Sequence, residues 1–300
     1  MLYVFLSTHF LHANRRPLRS KMLWRRSVMS AFPIIVFTKP WVSESLPELA
    51  DKIAAAGLDG VELAVRPGYQ VTPETAAGGL QEATRIFAAR GLTIASIAGS
   101  ADEAMIAACG DAGIPLIRVM APIDMSIGYH RSIENHQRGF DALLPVLDRH
   151  KVTIGVQNHY GFFVGSSAGL LHLLGKYEPR HICAVLDMAH CALDGEPVPM
   201  AVDIIKDHLH GLVNFKSAYR ARVNGPEDEA IFKVKWTTHR HGAYSWGEFA
   251  DCLRAIGFHG TLCLPAEYSD PASGTQRMGD AVLPYLKKDL AHLSALTSGW

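Results

Sequence analysis

Ten polar side chains lie at or near the ends of short apolar runs: Lys39, Glu62, Arg66, Gln157, His159, Asp187, His190, Asn214, Lys216 and Glu267. Carboxylates, imidazoles and a lysine around one cavity are the parts needed to move a proton next to a carbonyl. Asp187, Glu267 and the amide oxygens of Gln157 and Asn214 are also a set that could hold a hard divalent ion. Glu62 and Arg66 read either as substrate contacts or as a pair at the rim. His239 and His241 hint at a metal site but sit in a charged segment that reads more simply as a solvated loop. Cys191 follows His190, and a small buried hydrophobe is the commoner role for such a cysteine.

The elements that must position these groups alternate with a regular rhythm. The stretch Val152 to Cys191 sets the pattern. Val152 to Val156 is apolar and ends in Gln157, Asn158 and His159. Leu170, Leu171, Leu173 and Leu174 form one side of a helical segment. Ile182 to Leu186 is apolar again and ends in Asp187 and His190. Both runs are too short for helices and too apolar to face water, so they read as buried parallel strands joined by a helix. Six further strand-like runs occur: Ile34 to Phe37, Gly60 to Val65, Leu92 to Ile97, Leu116 to Met120, Leu212 to Phe215 and Thr261 to Ala266. Helix starts carry their own marks. Ser45 with Glu48, and Ser100 with Glu103, have capping-box spacing, and Thr72 with Pro73 reads as N-cap and N1.

Eight such units in roughly 270 residues fit a single-domain α/β fold, the (β/α)₈ or TIM barrel, whose usual size is roughly 250 residues. An open doubly wound sheet is the alternative, but no GxGxxG follows an early strand, so no nucleotide cofactor is expected. In a barrel the C-terminal strand ends converge on one cup, which brings the ten side chains together. Pro265 is awkward within the eighth run, because proline removes a ladder donor. The strand must stop before it or bulge there.

Charge is unevenly spread. Residues 1–30 hold six basic side chains and no acid, which leaves 23 basic against 29 acidic residues, a net of −6, over 31–300. The first segment reads as a basic extension, disordered or from a start assigned too early, and the barrel as 31–300. A mildly acidic body argues against a nucleic-acid partner. No run of about 18 apolar residues exists, so no membrane span is expected. Five scattered cysteines without a CxxC pair suggest reduced thiols and a cytoplasmic protein.

The ordered motifs GLDGVELAVRPG, VTIGVQNHYG, ICAVLDMAH, LVNFKS and FHGTLCLPAEYSD resemble the xylose-isomerase-like barrels, the sugar phosphate isomerase/epimerase family. The resemblance spans about residues 33–296. It implies a small sugar or sugar-phosphate substrate and a divalent ion (Mn, Mg, Co or Zn), with Asp187, Glu267, Gln157 and Asn214 at or near the ligand positions. It departs from the family pattern at three of them. Gln157 stands where the family has Glu, Asn214 where it has His, and Pro265 where it has the first Glu of Glu-x-Glu. Gln157 cannot accept a proton at neutral pH, so two-carboxylate epimerisation is doubtful. One-base chemistry survives, with Glu267 as principal base, His190 and Lys216 beside it, and Glu62, Arg66 and His159 as substrate contacts. Lys216, Arg220 and Arg222 could anchor a phosphate or carboxylate. A lyase or dehydratase acting on a keto-sugar acid, and a degenerate sugar-binding barrel, are the rival readings. Homo-oligomerisation is left open.

Overall fold

In the computed structural model, which describes residues 32–300, strand and helix alternate as expected. The first half runs β1 (Ile34–Phe37), α1 (Leu46–Ala56), β2 (Gly60–Ala64), α2 (Ala76–Ala88), β3 (Thr93–Ala98), α3 (Glu103–Ala112), β4 (Leu116–Met120) and α4 (Tyr129–His150). Then come β5 (Thr153–Gln157), α5 (Ser167–Leu174), β6 (Ile182–Val185), α6 (Met188–Leu193), α7 (Val198–Ile205) and β7 (Leu212–Asn214). The chain ends with β8 (Ser217–Arg222), β9 (Phe232–Thr237), α8 (Trp246–Ala255), β10 (Thr261–Leu264) and α9 (Leu283–Thr297). The expectation for the basic segment 1–30 falls outside the described residues.

Eight strands form one parallel sheet in the order β6-β5-β4-β3-β2-β1-β10-β7. The two ends approach each other through single bridges, Ala184 to Leu209 and Asp187 to Asn214. The Asn214 N–H donates to the Leu186 carbonyl at 3.0 Å. The result is a nearly closed (β/α)₈ barrel. The strands read as apolar runs because both faces are covered. Val36, Val61, Ile117, Val213 and Leu262 point outward against Leu49, Leu80, Phe87 and Phe249 in one continuous core. Each such side chain contributes about 1.5–3 kcal/mol on burial.

Local signals place most boundaries. Ser45 and Glu48 form the reciprocal capping box, and Gly57 closes α1 at φ 81°, a left-handed conformation that costs glycine little. Thr72 and Pro73 open a 3₁₀ turn that leads into α2. The cap of α3 differs from expectation. Asp102, not Ser100, accepts the Met105 N–H, at 2.9 Å, and Ser100 instead donates to Asp102 at 2.9 Å. The carboxylate wins because it sits directly before the first helical residue and carries charge to the helix N-terminus.

One feature of the fold has no counterpart among the strand-like runs, and a second settles the alternative left open at Pro265. The charged segment after β7 is a hairpin, β8 paired antiparallel with β9. Val234 and Trp236 pack with Tyr160 over Ala189, Leu193 and Ala218, so alternate β9 side chains have an apolar surface to cover. At the last barrel strand, β10 stops at Leu264, before Pro265. Ala266 then takes φ 54°. A left-handed alanine costs roughly 1–2 kcal/mol, and here it redirects the chain as it leaves the sheet.

Candidate active site

The polar network grows from inward-facing strand positions. Along β2, Gly60, Glu62 and Ala64 share the inner face by strand period, as do Leu116, Arg118 and Met120 on β4. A register shift between Val61 and Glu62 places Ser96 of β3 opposite Glu62. Ser96 Oγ donates to Glu62 Oε1 at 3.1 Å. Arg118 Nε donates to the same oxygen at 2.7 Å, and its Nη2 lies 2.7 Å from Oε2. Glu62 is fully buried and does not line the cavity. It holds Arg118 beneath the cavity lining, and its ion partner is Arg118, not Arg66.

Arg118 links this pair to the strand ends. Its Nη1 donates to Gln157 Oε1. Gln157 Nε2 donates to Asp187 Oδ2 at 2.8 Å, and Asn214 Nδ2 donates to the same atom at 3.3 Å. Asp187 also caps α6, accepting the Ala189 N–H at 3.1 Å. Asn158 fixes this corner. Its Oδ1 accepts the Asp187 N–H at 2.8 Å, and its Nδ2 donates to the Asp187 carbonyl at 3.1 Å.

Lys216 sits at the centre. Its Nζ is 2.9 Å from His190 Nε2, 3.0 Å from Glu267 Oε2 and 3.3 Å from Asp187 Oδ2. The ring of Trp236, brought in by the hairpin, lies 4.3 Å away. Lys39 donates to the other Glu267 oxygen. Burial pushes the Lys216 ammonium down, but Asp187 and Glu267 outweigh it and the ammonium is held above its ordinary range. Burial likewise pushes the Glu267 carboxyl up, yet Lys216 and Lys39 overcome it and keep it well below the usual carboxylate range. Burial and then Lys216 drive His190 well below the ordinary imidazole value, so it is neutral.

The cavity above this network is lined by Lys39, Arg66, Arg118, His159, Asn214 and Glu267, among others. His159 Nδ1 donates to the Tyr160 carbonyl at 2.8 Å, which leaves Nε2 with its lone pair. Arg66 lies over Phe37 at 5.3 Å. Burial and the neighbouring Arg118 push its guanidinium below its ordinary value.

The expected residues thus largely meet in one place: Gln157, His159, Asp187, His190, Asn214, Lys216 and Glu267 are gathered, with Arg66 on the rim. His190 is fully buried, beneath the cavity lining. Arg220 and Arg222 are engaged elsewhere. Arg220 bonds Asp194 at 2.8 Å, and Arg222 bonds the hairpin-turn carbonyls of Gly225 and Asp228. His239 is not in a solvated loop. It bonds Asp289 at 2.8 Å and stacks on His292 at 3.9 Å, pinning α9. Cys191 is buried, and burial and then Glu196 raise its thiol well above the ordinary value, so it is no nucleophile at neutral pH.

Arg118 is the main residue that sequence reading passed over. The signal was there: a charge in the middle of a buried apolar run needs a partner. Trp236 was missed with its hairpin, although Phe232, Val234 and Trp236 alternate as strand residues do.

The donor set does not fit the divalent ion that the resemblance implies. Among the described residues no group of three or more His, Cys, Asp or Glu is arranged to hold one. Gln157 turns its NH₂, not its oxygen, toward Asp187, and both carboxylates there are bonded to Lys216. Asn214 Oδ1 is buried without a partner, but a single neutral oxygen is a poor ligand set for a hard ion.

Comparison with known proteins agrees with this architecture. The sequence matches the xylose isomerase-like TIM barrel family over residues 50–288. No curated protein matches. Among solved structures, a D-psicose 3-epimerase in the presence of D-fructose superimposes with a TM-score of 0.63 at 13% identity, over 89% of this chain and 99% of that one. The 3-keto-D-glucoside 4-epimerase YcjR from E. coli gives 0.65 at 15%, over 88% and 99%. An L-ribulose 3-epimerase gives 0.65 at 16%, over 89% and 95%. At these identities the solved structures speak for the fold, and no helix among the described residues is long and apolar enough to cross a membrane. With the family match covering most of its length, this chain belongs to the xylose isomerase-like TIM barrel family.

Proposed function

We propose that this protein is a sugar isomerase- or epimerase-type enzyme that moves a proton alpha to a carbonyl. The observation that carries the reading is Glu267, a carboxylate on the cavity wall held between two ammonium groups, Lys39 and Lys216. Its low pKa keeps it ionised at neutral pH, in the state that can accept a proton. The same ion pairs weaken it as a base. A substrate carbonyl that draws an N–H from Lys39 or Lys216 relieves that restraint, so basicity rises when the substrate is in place.

Gln157 offers no second carboxylate. His159 lines the same cavity just past β5, three strands around the barrel from β10. It is the group placed to shuttle a proton on another side of the sugar. His190 acts beneath the surface as a positioning residue, bonded to Lys216.

The substrate's other end meets Arg66. Its side chain has no carboxylate partner among the described residues, and it sits beside Arg118 with Phe37 beneath both guanidinium groups. An uncompensated, half-buried guanidinium suits a carboxylate or phosphate on the sugar.

The test is solvent exchange. A panel of aldoses, ketoses, sugar acids and their phosphates is incubated with the enzyme in D₂O and followed by NMR. Deuterium enters alpha to the carbonyl of the accepted substrate, and Glu267→Gln lowers the rate by about 10²–10⁴-fold, the usual worth of a positioned base. Turnover unchanged by Glu267→Gln removes Glu267 from the role. Loss of water or of a carbon fragment in place of isomerisation would favour a lyase.

A further inference from the structure

The network around Asp187 already contains its cation. We propose that the Lys216 ammonium does the work of a divalent ion in this barrel, steadying negative charge on the substrate oxygen without a bound metal. The inference rests on the proton-transfer reading above and goes beyond it in assigning what stabilises the charge.

Three observations carry it. First, an ammonium has three N–H donors and no acceptor, and Lys216 has two carboxylate acceptors around Nζ, Glu267 Oε2 at 3.0 Å and Asp187 Oδ2 at 3.3 Å, with the neutral His190 ring beside it at 2.9 Å, which leaves one N–H for a substrate oxygen. The Trp236 ring, 4.3 Å from Nζ, adds a cation–π contact. The side chain is 5% exposed, so this is a built position and not a passing one.

Second, the amide of Gln157 cannot be turned freely to suit an ion. The Arg118 guanidinium can only donate, and it donates to Gln157 Oε1. The Gln157 NH₂ is thereby committed to Asp187. An ion approaching Asp187 Oδ2 would meet the NH₂ of Gln157, the NH₂ of Asn214 and the ammonium of Lys216, none of which has a lone pair to give.

Third, the charges pair off. Asp187 and Glu267 face Lys216 and Lys39, and Glu62 faces Arg118. A divalent ion added here would leave two further positive charges in a site with little water to screen them. Lys216 would have to leave, giving up both carboxylates and the indole face.

The step balances with groups on hand. The C–H bond alpha to the carbonyl breaks and Glu267 takes the proton. The electron pair moves onto the carbonyl oxygen, where an N–H of Lys216 meets the developing charge. In an isomerisation the proton of the adjacent hydroxyl passes to the former carbonyl oxygen, that hydroxyl becomes the new carbonyl, and Glu267 returns its proton to the former carbonyl carbon; the lysine keeps its proton throughout.

The experiment titrates Mn²⁺, Mg²⁺, Co²⁺ and Zn²⁺ into the EDTA-treated, full-length wild-type protein. Binding is followed by calorimetry, and melting temperature is read in parallel. The expected result is no saturable binding at one ion per chain and no shift in melting temperature between EDTA and metal. Stoichiometric binding by the wild type that Asp187→Asn abolishes would overturn the proposal. This readout needs no substrate, so it fails or holds independently of the exchange assay. Where a substrate is accepted, Lys216→Ala falls in kcat by at least tenfold and EDTA leaves the wild-type rate unchanged. An EDTA-sensitive rate restored by metal counts against the proposal even if the variant does not fold.

Discussion

The two ends of the barrel interior are built on opposite principles. In the lower layer, Ile35, Leu116, Cys183, Val185, Leu212 and Cys263 fill the space as one apolar cluster. In the upper layer, the inward positions that follow Leu116, Val185 and Leu212 carry Arg118, Asp187 and Asn214, and Glu62 of β2, Gln157 of β5 and Lys216 just past β7 join them. The backbone is continuous between them and the strand period is unchanged. Only the side-chain type switches. The lower layer is held by packing, which is non-directional and tolerant of exchange among similar shapes. The upper layer is held by directed bonds between buried charges, each of which is costly to leave alone. The first layer therefore carries stability. The second holds the groups proposed to do the chemistry, and each of its buried charges depends on a partner.

The contrast is broken most severely at Arg118. Arg118→Met leaves Glu62 fully buried without its cation, and stability falls by about 3–5 kcal/mol, read from the denaturant midpoint. The same measurement on the double variant Glu62→Leu/Arg118→Met is expected to recover most of that loss, because a buried pair replaced by well-packed apolar groups is close to neutral. Activity should not recover with it, since Gln157 has lost the donor that orients it. A double variant no more stable than the single one would mean that the upper layer is not separable in this way.

A smaller effect is expected in the lower layer. At Gly155 an added Cβ would stand 2.6 Å from Val185 Cγ2 and 3.3 Å from Leu116 Cδ2. Gly155→Ala overpacks the apolar layer and costs about 1–3 kcal/mol. Exchange rates in the folded variant should stay near wild type, because no member of the polar network changes identity. A large loss of rate at unchanged stability would show that the layers are coupled more tightly than their contacts suggest.

The mildest prediction concerns pH. Glu267 has its folded pKa depressed below the ordinary 4.5, so its ion pairs contribute stability above that value. As pH falls through 4.5 the unfolded chain takes up the proton first, and the contribution drains away toward the lower folded pKa. Melting temperature measured from neutral to acid pH should therefore fall less steeply in Glu267→Gln than in the wild type. Parallel curves would mean that Glu267 is not held ionised by Lys39 and Lys216.

The alternation of strands and helices was legible because apolar runs of strand length, helix caps such as Ser45 with Glu48, and closing glycines such as Gly57 are local signals. The gathering of Asp187, His190, Lys216 and Glu267 was legible too, since barrel strand ends share one mouth. Arg118 was visible as a charge within β4, but its partner is 56 residues away, and no spacing rule pairs such distant positions. The hairpin was hidden because what it covers, Ala189 and Leu193, belongs to another part of the chain. Pro265 announced an irregularity and left its form open between a strand end and a bulge. The strand ends, and Ala266 makes the bend.

By itself, the order of residues determined the class of fold, the mouth at which the polar groups collect and the absence of a carboxylate at position 157. Those follow from local propensity, strand period and residue identity, none of which needs distant contacts. Only the tertiary structure decided that the Lys216 ammonium lies between Asp187 and Glu267, and that the Gln157 oxygen is committed to Arg118. Hydrogen-bond direction is set by which donors and acceptors meet, and that meeting is made by closure of the barrel.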